Sequence, residues 1–470
     1  MSIKRYFASK DTAITNAFLP SLQTRGTGSN QGASDVLDVF SISAQANSSS
    51  REASRLLTYF PTTNIVADRA AGTLPVSGSV NFVLRLYNAP HSETIPKGFD
   101  LLVSPLSQSF TEGNGLDFET LSDKTRGGER GADWIFAGSG TVWSTQGGDF
   151  LASALSQTFD SGIEDLEVDI TSLVENWVNG NIPNNGVAIR LSTGSESGST
   201  SYYTKKFFAR GTEFFFKRPC IEAKWNSSKT DDRNRFFVSS TLLSAQDNTP
   251  TLYFYNYHNG QLKNVPGLGT GSVFVQVFTS ATLGDLITTT PTVITGGYVS
   301  TGIYSASFAI STTSSVGYDR WFRDNTGFHT GSFLIKNFGA GNVNVETRKF
   351  VNACTNLKNS YSIADTARLR IYSRLRNWSP TIYTKAIAFP ENTIIENAYW
   401  KVERLQDRET IIPYGTGSAL ETKLSYDGSG SYFDFSMGLL EPGYAYAFKL
   451  LFQIDGTYEE QMESFKFRVV

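Results

Sequence analysis

The stretch Tyr444-Ala445-Tyr446-Ala447-Phe448-Lys449-Leu450 alternates large and small side chains and is followed by Asp455-Gly456, a hairpin-turn dipeptide. Alternation is the mark of a strand, because successive side chains leave opposite faces of a sheet. The same reading extends along the chain. Phe82, Leu84 and Leu86 share one face against Val83, Arg85 and Tyr87. Ser272–Phe278 and Gly302–Ile310 read as buried strands, and Phe465–Val469 as a half-exposed one. These short aromatic and β-branched runs, separated by Gly, Ser, Thr and Asn, predict an all-β chain of β-sandwiches.

Composition bounds what such a chain does. Its 470 residues carry 41 basic and 44 acidic side chains, a net charge of −3, and only 18% of residues are charged against roughly 25% in an average domain. A nucleic-acid partner would want a dense basic face, and this balance argues against one. With 34 Phe and 21 Tyr the chain has the apolar surface to fold rather than remain disordered. No apolar run approaches the roughly 18 residues of a membrane-spanning helix, so no membrane partner is expected. The start, Met1 to Lys10, is basic without an apolar core behind it, which does not match a secretory signal. Cys220 and Cys354 stand far apart and make no disulfide framework, which fits manufacture in a reducing cytoplasm, with a bridge between them left as an alternative.

One helix breaks the β pattern. Ile170, Leu173, Val174, Trp177 and Val178 recur at helical spacing, Asp169 stands where it can cap the segment, and Gly180 supplies a stop. Length suggests about three domains. The polar, charged stretch 226–235 reads as a linker after a first domain, 1–225. Two further domains, 236–340 and 341–470, have the size of immunoglobulin-like sandwiches and meet at the loop Gly339-Ala340-Gly341-Asn342. Gly302-Ile303-Tyr304 and Pro442-Gly443-Tyr444 form a loose rhyme between them, each setting a Gly and a Tyr before a late strand.

No catalytic or cofactor constellation emerges. His91, His258 and His329 lack partners at metal-ligand spacing, and His91 and His258 sit beside turn residues where a solvated imidazole is expected. Gly267–Ser272 lacks the lysine of a phosphate loop and precedes a strand. Gly194-Ser195-Glu196-Ser197-Gly198 centres on Glu and is no nucleophile elbow. The carboxylates Glu164, Asp165, Glu167 and Asp169 are accounted for by the helix N-terminus that follows. Glu112, Asp117 and Glu119 could hold a structural Ca²⁺ with loop carbonyls, although the regular calcium-loop spacing is absent.

The densest unusual feature runs from Tyr202-Tyr203-Thr204-Lys205-Lys206-Phe207-Phe208-Ala209-Arg210 to Phe214-Phe215-Phe216-Lys217-Arg218-Pro219. A nucleic-acid site would stack bases on the rings. The net charge favours instead two sandwich strands with Phe inside and Lys and Arg at the rim, or aromatics given to a protein–protein contact.

Several segments of the first 225 residues resemble the DNRLRE-type jelly-roll module, a relative of carbohydrate-binding modules. They are Asp11-Thr12-Ala13-Ile14, Ser54–Phe60, Leu84-Arg85-Leu86-Tyr87 and, most specifically, Val168–Trp177 followed by Asn185-Gly186-Val187-Ala188-Ile189-Arg190. The likeness departs between Phe110 and Phe150, where Glu112–Asp117 and Ala132-Asp133-Trp134 replace the module's usual tryptophan stretch. That variant, with Tyr203–Arg210 and Phe216–Pro219, is similar to structural proteins of marine tailed phages such as those of cyanobacteria. The resemblance implies a non-enzymatic virion component of the neck, tail or capsid, made in the host cytoplasm, among other virion proteins. Low charge with many Tyr and Phe separately predicts that the chain works in several copies, its aromatic patches serving as contact surfaces. A host-surface glycan is the second partner class the resemblance raises, and no glycan-binding residue of the module class transfers to this sequence. A glycan-cleaving enzyme is the third class.

Overall fold

The computed structural model describes residues 2–116, 118, 130–245, 247–336, 349–376 and 392–470. Strand takes 44% of the chain and helix 7%, so the class is all-β. It is an N-terminal jelly-roll β-sandwich followed by two immunoglobulin-like sandwiches. Contacts divide it into two compact units, Ser2–Trp225 and Asn226–Val470.

In Ser2–Trp225 a four-strand sheet is ordered Ile3–Phe7, Cys220–Lys224, Asn81–Leu86, Leu166–Asp169. The larger sheet runs Tyr202–Phe208, Val36–Ser43, Arg51–Tyr59, Val187–Leu191, Phe99–Pro105, Leu155–Phe159, and Lys10–Thr15 also pairs with Arg51–Tyr59. Every pairing in the two sheets is antiparallel. Phe82, Leu84 and Leu86 meet Leu56, Ile189, Leu101 and Phe207 in one core, as the alternation requires. The opposite face of the larger sheet is buried too. Ile14, Ala53, Leu57 and Ala188 lie under Leu106, Phe110, Trp134 and Trp143. The segment where the sequence departs from the module pattern thus supplies a second small core.

Three helices stand among the described residues: α1 (Thr63–Ala70), α2 (Thr171–Val178) and α3 (Thr193–Ser197). α2 is the predicted one. Leu173, Val174 and Trp177 are buried, Asp169 Oδ1 accepts from Thr171 N at 2.8 Å, and Gly180 takes the left-handed backbone (φ 72°) that ends helices. Asp169 acts from one residue before the cap position, which Ile170 occupies. The other three carboxylates do not serve this helix. Glu164 accepts from Ser161 N, Asp165 from Asn88 N, and Glu167 pairs with Arg85 across the sheet.

In Asn226–Val470 the middle sandwich orders its strands Phe236–Phe237, Thr326–Lys336, Val316–Arg323, Val273–Phe278, Ile294–Ser300, Ile303–Ser307, Thr251–Tyr255. Ile294–Ser300 turns the corner: its first half pairs with Val273–Val275 and its second with Ile303–Ser305. Trp321, Tyr304, Phe236 and Phe308 fill the core. The last sandwich sets Phe350–Cys354, Thr366–Leu375, Gly430–Ser436, Ser425–Asp427 against Ser360–Tyr361, Phe465–Val469, Ala445–Ile454, Ala398–Arg404, Thr410–Ile412. Trp400 packs on Phe433, Phe435 and Phe448 with centroids 5.3, 5.4 and 6.1 Å away. Tyr446 Oη donates to Glu441 O at 2.8 Å, the tyrosine corner of immunoglobulin-like sandwiches. The predicted turn at Asp455-Gly456 is present, both residues at positive φ, joining Ala445–Ile454 to Thr457–Glu460. The rhyme does not carry over in detail: Tyr304 is buried, its Oη donating to Gly269 O in a loop 35 residues upstream, whereas Tyr444 is half-buried.

The stretch expected as a linker, 226–235, is folded into its unit. Thr230 forms a parallel bridge with Tyr426, and Asp231 N donates to Tyr426 O at 3.1 Å. Asp232 accepts from Thr251 N at 2.9 Å and from Tyr426 Oη at 3.0 Å, touching both sandwiches. Arg233 makes a two-pronged pair with Asp319 at 2.7 and 2.8 Å, and Trp321 Nε1 donates to the same carboxylate at 2.6 Å. Its charges are partnered inside the protein rather than solvated. The domain boundary loop Gly339–Asn342 lies outside the described residues.

Candidate contact surface

The basic-aromatic segment divides into a buried half and an exposed half. Strand Tyr202–Phe208 pairs with Val36–Ser43 on one side, while on the other Ala89 N donates to Lys206 O and Phe208 N to Tyr87 O, both at 3.0 Å. Phe207 is buried, as predicted. Lys205 is not at the rim: it is 1% exposed, sharing the inward face with Phe207 two residues on. Its ammonium is accepted by Asn88 Oδ1, Gly162 O and Glu164 O, and burial lowers its pKa to about 8 against the pull of Glu164 and Asp165.

The other cations here are also engaged. Lys206 reaches Glu93 at 3.1 Å and Asp38 at 3.7 Å. Arg210 grips Glu112 through two bonds of 2.5 and 2.6 Å. Arg218 Nε donates to Thr212 O at 3.3 Å. At least four of the five basic side chains between Tyr202 and Arg218 are therefore engaged internally, which takes most of the charge away from any phosphate-binding reading.

Past Arg210 the rings come to the surface. Phe214 is 52% and Phe7 40% exposed. Phe7 meets Phe215 edge-on at 6.4 Å, Phe208 meets Phe214 at 5.3 Å, and Phe215 meets the buried Phe216 at 5.2 Å. The 3-10 turn Phe215–Lys217 holds this arrangement, with Lys217 N donating to Phe214 O and Ala8 N to Pro219 O. Arg218 lies over the Phe215 ring at 5.9 Å and Lys217 over Tyr87 at 5.4 Å. Four phenylalanines at one edge of a sandwich, rimmed by Lys and Arg, have the composition of a protein contact.

The remaining expectations resolve one by one. Glu112 faces Arg210, and its Oε1 also accepts from Asp11 N at 2.8 Å. Burial pushes Asp11 up to about 7, against the bond its carboxylate accepts from Arg210 N. Glu112 is thus engaged by a guanidinium and a backbone amide, while Asp117 and Glu119 lie outside the described residues. Among the described residues no group of three or more His, Cys, Asp or Glu is placed to hold a metal ion. His258 is exposed, as expected. His91 is not solvated: its side chain is 8% exposed, with Nδ1 2.8 Å from Glu93 Oε2. His329 stacks on Phe254 at 5.2 Å, and burial lowers its pKa. Both cysteines are free thiols, and burial pushes Cys220 up to about 11. Glu196, at the centre of Gly194–Gly198, sits in α3 and pairs with Arg55 at 2.6 Å.

A cavity of about 160 Å³ opens between Lys10, Tyr59, Ser109, Phe110, Asn184 and Asn185. Sequence reading missed it, because its lining comes from four separate stretches.

No known family matches the sequence, and no curated relative does. Solved structures with some likeness are a marsupial T cell receptor (6% identity, TM-score 0.17, 50% of this chain and 70% of that one) and murine CEACAM1b (11%, 0.15, 50% and 96%). The E. coli alpha-2-macroglobulin is similar at 10% identity and TM-score 0.18 over 88% of this chain, which spans about a fifth of that protein (21%). Scores this low carry no argument about fold or function.

Proposed function

We propose that the chain is a non-enzymatic structural protein of a tailed-phage virion, placed in the neck, tail or fibre region and assembling through its β-sandwich domains. The observation that carries the reading is the pair of exposed rings Phe7 and Phe214, each packed against a half-buried one, Phe215 and Phe208. Exposed aromatic clusters on folded domains mark interaction surfaces. The resemblance of the variant between Phe110 and Phe150, with Tyr203–Arg210 and Phe216–Pro219, to phage structural proteins supports the setting. Mass spectrometry of purified particles tests it: the chain is expected in intact virions, and its absence from them overturns the reading. The double variant Phe7→Ser/Phe214→Ser is expected to fold and to be lost from particles.

A second reading, a module for host-surface polysaccharide, draws on the small cavity lined by two asparagines, a serine, a lysine and two rings. At about 160 Å³ it is below the roughly 300 Å³ of ordinary ligand pockets, which ranks this reading second. Glycan-array binding of the full chain, lost in Asn185→Ala, would raise it to first.

A further inference from the structure

The surroundings of Lys205 suit a covalent step as well as a hydrogen bond. Its Nζ lies 2.5 Å from Asn88 Oδ1, one bond away from the side-chain amide carbon. The two residues are 117 apart in sequence and are brought together because residues 87–89 run beside Lys206 and Phe208. Phe159 and Phe207 flank the amine, with centroids 5.2 and 4.9 Å away. Beside Asn88 stands a carboxylate: Asp165 Oδ1 accepts from Asn88 N at 2.8 Å.

We propose that Lys205 and Asn88 form an intramolecular isopeptide bond without any external enzyme, with Asp165 moving the proton. The neutral amine of Lys205 attacks Cγ of Asn88. A Cγ–Nζ bond forms and the Cγ–Nδ2 bond breaks. Asp165 takes a proton from Nζ and delivers it to Nδ2, which leaves as ammonia. Amine plus primary amide becomes secondary amide plus ammonia, and nothing is oxidised or reduced. Three physical terms favour the step. The fold holds nucleophile and carbonyl in contact, which replaces a bimolecular encounter. Desolvation between two rings keeps part of the amine neutral, and a buried lysine of lowered pKa is a nucleophile near neutral pH. The competing arrangement is a static ammonium held by three carbonyl oxygens, and the two differ in mass.

The test does not depend on the virion reading. The full chain, purified and denatured, is weighed by intact mass spectrometry and then digested. The expected result is a mass lower than the sequence by one ammonia, and a branched peptide joining the segments that contain Asn88 and Lys205. Asn88→Ala and Asp165→Ala are expected at their full sequence masses. A wild-type chain at full mass overturns the proposal, as does loss of ammonia without the branched peptide, which would mark an ordinary asparagine succinimide. A branched peptide persisting in Asp165→Ala overturns the part given to that carboxylate.

Discussion

Glu222 shows how a single buried charge is held in this protein. It lies on the four-strand sheet between Arg5 at 2.9 Å, Arg85 at 3.2 Å and Lys224 at 3.0 Å. Burial alone would raise its pKa, but Arg5, Arg85 and Lys224 outweigh it and hold the carboxyl at about 2 against an ordinary 4.5. A depressed carboxylate stabilises the fold above its ordinary pKa, and the contribution is lost as pH falls through the folded value. The N-terminal unit is therefore expected to lose roughly 3 kcal/mol from this group as pH falls from about 4.5 to 2. Glu222→Gln should cost about 3 kcal/mol at neutral pH, because Arg5 loses this carboxylate and Arg85 keeps only Glu167, and should flatten that acid dependence. Urea denaturation across the pH range, followed on the first unit, measures both. Asp231 has the opposite sign: burial raises it to about 7, so its contribution is complete in acid and fades as pH climbs through neutrality. Lys205 marks what was legible at this scale and overlooked. Alternation already places it on the same face as Phe207, and only the habit of assigning lysine to solvent hides it.

Among the elements, those with a strong local period are readable and those fixed by distant partners are not. Helix α2 announces itself because five apolar residues recur at helical spacing and four of them, Ile170, Leu173, Val174 and Trp177, enter the core. Helix α1 has one buried residue, Ile65, and is held from outside by Arg69 pairing with Glu175 and by Asp68 receiving Tyr6 Oη. No pattern in Thr63–Ala70 foretells that. The stretch 226–235 fails for the same reason. Its charges look solvated in sequence, yet Arg233 finds Asp319 86 residues away and Asp232 finds Tyr426 194 away. Asp319 is fully buried, so removing its guanidinium leaves an uncompensated charge. Arg233→Ala is expected to destabilise the Asn226–Val470 unit by about 3–5 kcal/mol and to open the segment to trypsin at Lys229 and Arg235. Limited proteolysis followed by mass spectrometry reads the second effect independently of the first.

For the whole molecule, strand runs and their punctuation convey the class and the sandwiches, whereas the exposed ring cluster depends on which phenylalanines the core leaves over. Thirty-four Phe fit no simple inside-outside rule: Phe207 and Phe216 are buried while Phe7 and Phe214 are not. The pairing of first with last strand in the first and middle sandwiches has a mechanical meaning. In the middle sandwich these strands run parallel, Phe236–Phe237 beside Ile335–Lys336. In the last one the first strand, Phe350–Cys354, pairs antiparallel with Thr366–Leu375, and it is the second, Ser360–Tyr361, that runs parallel beside Arg468–Val469. Tension along the chain pulls such neighbours lengthwise past each other, so their bonds share the load and give way together. In the first sandwich Ile3–Phe7 and Cys220–Lys224 are antiparallel, with Ile3 opposite Lys224. The same tension peels them apart one bond at a time. Single-molecule stretching of the full chain should accordingly record the first sandwich beginning to yield at lower force than the middle one. With Lys205 and Asn88 joined, that yielding would halt at the crosslink: the loop between them could not extend, and the sandwich would behave as a tether of fixed length.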